Sequence, residues 1–144
     1  MNTFVKLSEA GSIAIHALAL LAGLKDGGSI SVLEISKVFG VSKDHLSKVL
    51  QRLSKAGIVE SGRGPKGGFR FSKDPKKVRL VEIYELTEGR RDLKECLIEK
   101  RFCFGNKCVF GGMLSEINRQ IVDFLKKTTF DDIAIKNNRG RDEK

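Results

Sequence analysis

The sequence predicts a mainly α-helical fold with one small β-hairpin. Apolar residues recur at helical spacing in several separate stretches. Two serines stand where helix N-caps belong, and one glycine-rich stretch is flanked by short alternating segments. The first helix is expected from about Ser8 to Leu24, rich in Ala, Leu and Ile, stopping in the turn Lys25-Asp26-Gly27-Gly28. Ser31-Val32-Leu33-Glu34 has capping-box spacing and opens a short helix that ends near Phe39-Gly40. Ser42 caps a third helix, which ends at Gly57, a residue able to take the left-handed conformation at a helix terminus. Leu46, Val49, Leu50 and Leu53 form its apolar stripe, and Lys43, Asp44, His45, Ser47, Lys48, Gln51, Arg52 and Lys55 its polar face.

Ile58-Val59-Glu60 and Phe69-Arg70-Phe71 flank the glycine-rich tip from Ser61 to Gly68, as in a β-hairpin. Leu80 to Leu86 suits a further short helix. Met113, Leu114, Ile117, Ile121, Phe124 and Leu125 mark a long final helix, and the tail from Asn137 to Lys144 is polar. A short helix, a tight turn, a helix with one apolar and one basic face, and then a hairpin make a winged helix-turn-helix.

Composition narrows the partner. The 144 residues fit one domain with an appendage. A chain of that size buries about two-thirds of its unfolded surface without needing disulfides. The formal charge is +9, with 27 basic and 18 acidic residues, and the pI is ≈ 9.6. Much of the excess lies between Lys43 and Arg79, where Lys48, Arg52, Lys55, Arg63, Lys66, Arg70, Lys73, Lys76 and Lys77 face only Asp44, Glu60 and Asp74. A polyanion such as duplex DNA is the simplest partner for that surface. In such folds the N-terminal half of the recognition helix, here Ser42, Lys43, His45, Ser47 and Lys48, meets base edges. Lys48, Gln51, Arg52 and Lys55 extend towards phosphates, and Arg63, Lys66 and Arg70 belong to the wing.

No apolar run approaches the ~20 residues that span a bilayer, and the N-terminus lacks the form of a signal peptide. The expected location is cytoplasmic, where thiols stay reduced.

Gly62-Arg63-Gly64-Pro65-Lys66-Gly67 matches GxGxxG, with Glu82 twenty residues on. A dinucleotide site needs that loop to open a helix within a βαβ unit, whereas here a strand-like segment and Pro75 follow. Gly68 stands where a P-loop needs lysine. The glycines suit a wing that approaches a DNA backbone closely, or an ordinary exposed hairpin.

The three cysteines, Cys96, Cys103 and Cys108, sit in one segment spaced C-x6-C-x4-C. Glu95, Glu99, Lys100, Arg101, Asn106 and Lys107 among them make a poor core segment for buried thiols. Structural zinc usually recruits a close CxxC pair. An iron–sulfur cluster prefers thiolates and accepts looser loops, but needs a fourth ligand from outside the cysteine set. Cluster, other metal or thiol chemistry, and no cofactor all stay open on the residues alone. A thiol enzyme is not expected, because His16 and His45 lie in other helices and no base stands beside a cysteine.

These residues resemble the IscR/NsrR-type family of bacterial winged-helix regulators over nearly the whole chain. The resemblance rests on the alanine-rich first helix, Val41-Ser42-Lys43-Asp44-His45-Leu46 and Leu53-Ser54-Lys55-Ala56-Gly57-Ile58-Val59. It continues through Arg63-Gly64-Pro65-Lys66-Gly67-Gly68, Val78-Arg79-Leu80-Val81-Glu82, the three-cysteine loop and the final helix. It implies a homodimer in which the helix around Met113 to Leu125 crosses its symmetry mate, and palindromic operator DNA as the partner. It also implies a 2Fe–2S or 4Fe–4S cluster on Cys96, Cys103 and Cys108, and a signal of nitric oxide, iron, redox state or cluster supply. The Asp44-His45-Leu46 and Cys108-Val109-Phe110-Gly111-Gly112 segments look more like the nitric-oxide-sensing branch.

Two positions depart from the pattern. Gly111 stands where some members have a histidine ligand, and Ser12 where others have a carboxylate. Glu9, Ser12 and His16 share one helix face by spacing; with the resemblance, this makes Glu9 or His16 of the partner subunit the candidate fourth ligand, the alternative being that both are ordinary surface residues.

The expected organisation is a winged helix-turn-helix DNA-binding domain at 1–90, a cluster-binding loop at 91–111, a dimerisation helix and C-terminal segment at 112–136, and a mobile tail at 137–144. The expected function is a dimeric transcription regulator, in the main a repressor. A cofactor-free or zinc/thiol-based DNA-binding regulator is the alternative. An iron–sulfur redox protein leaves the helix-turn-helix and wing unused.

Overall fold

Serine side chains start the first three helices. Ser8 Oγ accepts from Gly11 N at 3.0 Å, Ser31 Oγ from Glu34 N at 3.2 Å, and Ser42 Oγ from His45 N at 3.4 Å. The helices they open are α1 (Glu9–Ala22), α2 (Val32–Phe39) and α3 (Lys43–Lys55). The computed structural model describes residues 7–25, 28–62, 67–89 and 112–136. Outside these lie the wing tip with Arg63 and Lys66, the whole segment expected to bind a cluster, with Cys96, Cys103 and Cys108, and the tail 137–144.

Nearly every face of α1 is buried, and its alanines are the reason. Ala14, Ala17 and Ala19 occupy little volume, so α3, α4 (Leu80–Glu88) and the hairpin can all pack around one helix. Ile13, Leu18, Leu20 and Leu21 fill the spaces between them, joined by Leu46, Val49, Leu50 and Leu53 from α3. The stripe that the sequence marked on α3 is therefore its buried face. Gly40 at φ 64° and Gly57 at φ 75° end the two helices of the helix-turn-helix in the left-handed region.

Strand β1 (Val59–Ser61) pairs antiparallel with β2 (Phe69–Phe71) in the register Val59↔Phe71, Glu60↔Arg70 and Ser61↔Phe69. Gly62 N donates to Gly68 O at 2.8 Å below the tip. The hairpin does not stand alone. Ile30, just ahead of α2, bridges Phe69 in both directions, with N···O distances of 3.1 and 2.8 Å. A 3₁₀ turn at Pro75–Lys77 then leads into α4, which runs one turn-half beyond the expected end at Leu86. Glu82 fixes its start by accepting from Arg79 N at 3.2 Å.

The long helix is α5 (Met113–Lys127). Leu114 is buried on its inner side, and Leu125 packs against the core cluster. Met113 and Phe124 are 50% and 57% exposed, and with the half-buried Ile117 and Ile121 they form an outward apolar stripe. On the polar face, hydrogen bonds from Arg119 and Gln120 hold the Glu116 carboxyl below its usual value.

Residues 128–136 turn back onto the winged unit. Leu80 N donates to Thr128 O, Phe130 N to Val78 O, and Ile135 N to Ala19 O, at 3.0, 3.0 and 2.9 Å. Phe130 is fully buried, its ring 5.8 Å from that of Phe71 on β2. Among the described residues, no helix is long and apolar enough to cross a membrane.

Candidate nucleic-acid interface

The outer face of α3 combines three properties that suit a duplex. Ser42, Lys43 and Lys48 are exposed, with His45 and Ser47 half-buried beside them, so the N-terminal half presents short donors and cations together. The Ser42 cap leaves the helix N-terminus, with its partial positive charge, on the same side. The apolar stripe anchors the opposite face, which fixes the helix against rotation.

Two predicted contacts are engaged within the fold. The Arg52 guanidinium, through Nη2, donates to the backbone carbonyl of Leu86 near the end of α4 at 3.1 Å. Arg70 Nε donates to Glu60 Oε1 at 2.6 Å across the hairpin, with both side chains about half exposed. The second pair could have been found by setting the two strands in register, since Glu60 and Arg70 then stand directly opposite. The first has no local signal, because α3 and α4 are distant in sequence.

The residues expected to complete a cluster both lie on α1, facing the helix-turn-helix of their own chain. Glu9, 76% exposed on its side chain, has Oε1 3.7 Å from His45 Nδ1 on α3. His16 Nδ1 lies 2.6 Å from Ser12 O, and its ring meets Phe39 edge-on at 6.0 Å. A carbonyl can only accept, so Nδ1 is the donor in this contact, and Nε2 is the ring nitrogen left to meet a metal. In chemistry, three thiols with one exposed carboxylate or imidazole fit a thiolate-rich iron site. Ser8, which caps α1, also donates through N and Oγ to Glu88 Oε1 at 2.9 and 2.6 Å, where α4 runs out towards the cysteine segment.

The chain is similar to known proteins in sequence and in fold. A putative HTH-type transcriptional regulator from Aquifex aeolicus is 36% identical over 129 residues, covering 88% of this chain and 89% of the relative. The HTH-type transcriptional regulator NsrR of Bacillus subtilis is 30% identical over 124 residues, covering 84% and 82%. Among solved structures, CymR, the global cysteine regulator of B. subtilis, superposes with a TM-score of 0.70 at 24% identity over 90% of this chain and 96% of its own, which shows a shared fold. These relatives are regulators of transcription rather than enzymes. A family model described as "Iron-dependent Transcriptional regulator" matches residues 7–136, and the chain therefore belongs to the Rrf2 family of DNA-binding transcriptional regulators.

Proposed function

We propose that the chain is a homodimeric, cytoplasmic repressor that reads palindromic duplex DNA and responds to nitric oxide or iron–sulfur status through a cluster on Cys96, Cys103 and Cys108. The observation that carries this reading is positional. In a family described as iron-dependent, all three cysteines fall in the one segment that joins the DNA-reading unit, ending in α4, to the long helix α5. A change in that segment bears on both halves at once.

The residues divide the work as follows. Ser42, Lys43, His45 and Ser47 address base edges from α3, while Lys48, Arg63 and Lys66 add phosphate contacts that carry affinity but no sequence information, and Arg70 is held by Glu60 across the hairpin. Arg52 also lies on this face, although its guanidinium is hydrogen-bonded to Leu86. Met113, Ile117, Ile121 and Phe124 supply an apolar stripe suited to a second copy of α5. The three thiolates would hold the cluster, with Glu9 or His16 of the partner subunit as the fourth ligand. When bound there, such a cluster would supply iron able to react with nitric oxide. Changing the operator from almost fully bound to almost fully released takes a differential of about 5.5 kcal/mol, within the range of metal–thiolate binding.

Anaerobic purification tests the reading. Brown protein with iron, acid-labile sulfide and visible absorbance is the expected product, and replacing Cys108 with serine should remove the colour. A colourless, zinc-bearing protein that binds DNA fully would instead favour a thiol- or zinc-based regulator.

A further inference from the structure

We infer that Arg52 is a positioning residue that couples the recognition helix to the root of the cysteine segment. Arg52 projects from α3, in the turn following Lys48, and its Nη2 reaches the Leu86 carbonyl at 3.1 Å. It closes the small junction where Ala10 of α1, Val49 and Leu53 of α3, and Leu86 and Thr87 of α4 meet. Leu86 lies in the last turn of α4, which ends at Glu88 shortly before the cysteine segment begins.

A second tie fixes the same turn from the other side. Glu88 accepts from both N and Oγ of Ser8, the residue that caps α1. Gly11 makes the approach possible, because a Cβ there would run into the Glu88 carboxylate and the Thr87 hydroxyl. The neighbouring Glu9 lies 3.7 Å from His45 on the reading face. The end of α4 is thus held to α3 directly through Arg52, and through α1 by Glu88 and Ser8. A shift of that turn moves the helix that meets the bases. A guanidinium suits this role, since it holds a planar donor at a fixed distance from a carbonyl while the rest of the side chain packs at the junction.

The inference rests on the proposed sensing role of the cysteines, and a two-by-two comparison separates its failure from the failure of that role. The full-length dimer is prepared anaerobically as wild type, as Cys96→Ser/Cys103→Ser/Cys108→Ser, as Arg52→Ala, and as the combination. Affinity is measured by fluorescence anisotropy at several salt concentrations, on a duplex selected from a random-sequence pool by the wild type. With Arg52 in place, cysteine replacement changes the affinity. With Arg52→Ala, that ratio is expected to shrink by about three- to tenfold, the worth of one such hydrogen bond, while the salt slope stays unchanged. Arg52→Lys, which keeps a donor of similar reach, should restore part of the ratio, and Glu88→Gln should lower it. If Arg52→Ala is too unstable to assay, those two variants carry the test.

An unchanged ratio, with effects that simply add, overturns the coupling and leaves the sensor standing. A salt slope reduced by about one makes Arg52 a phosphate contact and also overturns it. Cysteine replacement without effect in the wild-type background removes the sensing role, and the inference with it.

Discussion

Replacing Phe130 with alanine tests whether the segment after α5 is part of the winged unit or merely rests on it. Phe130 is fully buried against Phe71 of β2, and its backbone N–H donates to Val78 O at 3.0 Å. A buried phenylalanine removes roughly 170 Å² of apolar surface from water, near the lower end of the range for aromatic side chains. At about 25 cal/mol per Å² this contributes about 4 kcal/mol, which agrees with the ~3–5 kcal/mol usual for Phe→Ala in a core. Against a typical domain stability of ~5–15 kcal/mol the loss is severe. At ~2–4 °C per kcal/mol for a chain somewhat above this length, the midpoint should fall by about 8–16 °C. Urea denaturation followed by circular dichroism reads the free energy, and thermal melting the midpoint. A loss under about 1 kcal/mol, with a single unchanged transition, would refute the claim that this segment is built into the core.

Three further outcomes follow from the geometry. Lys48→Ala should weaken binding to all duplexes alike and lower the slope of log affinity against log salt by about one, measured by anisotropy; a steeper loss on one sequence would make it a base reader instead. Phe124→Asp, in the exposed stripe of α5, should give a monomer by sedimentation while the far-ultraviolet spectrum is retained. Asp132 accepts from the Thr129 backbone N–H at 2.9 Å and its hydroxyl at 3.0 Å, and these bonds hold its carboxyl below the usual 3.8. With the folded value lowered, the stabilisation is fully present above pH 3.8 and is lost as pH falls through the folded value. The gap in melting temperature between the wild type and Asp132→Ala should therefore close on acidification below that point, and a gap constant down to pH 2 would contradict it.

What the sequence disclosed was whatever a few neighbouring residues decide. Ser42, the spacing of Leu46, Val49, Leu50 and Leu53, and the strand-like Phe69-Arg70-Phe71 each carry their own signal, and α3 and the hairpin formed where they pointed. The bridge from Ile30 to Phe69, the return of Phe130 onto Phe71, and the reach of Arg52 to Leu86 join residues far apart along the chain. A basic residue on a helix reads the same way whether it awaits a phosphate or ties down a neighbouring carbonyl. Arg52 and Arg70 looked like Lys48 until their partners, Leu86 and Glu60, were seen. Glu9 and His16 were placed on one face by spacing, but only the packing of α2 and α3 shows what each one faces.

The most direct test of the account follows DNA occupancy and cluster absorbance in a single anaerobic sample as nitric oxide is added. The wild-type dimer, bound to a duplex selected from a random pool, should change its occupancy in step with the loss of visible absorbance, and the Cys96→Ser/Cys103→Ser/Cys108→Ser protein should not respond. Absorbance that bleaches while the occupancy of the DNA stays constant would contradict the central claim.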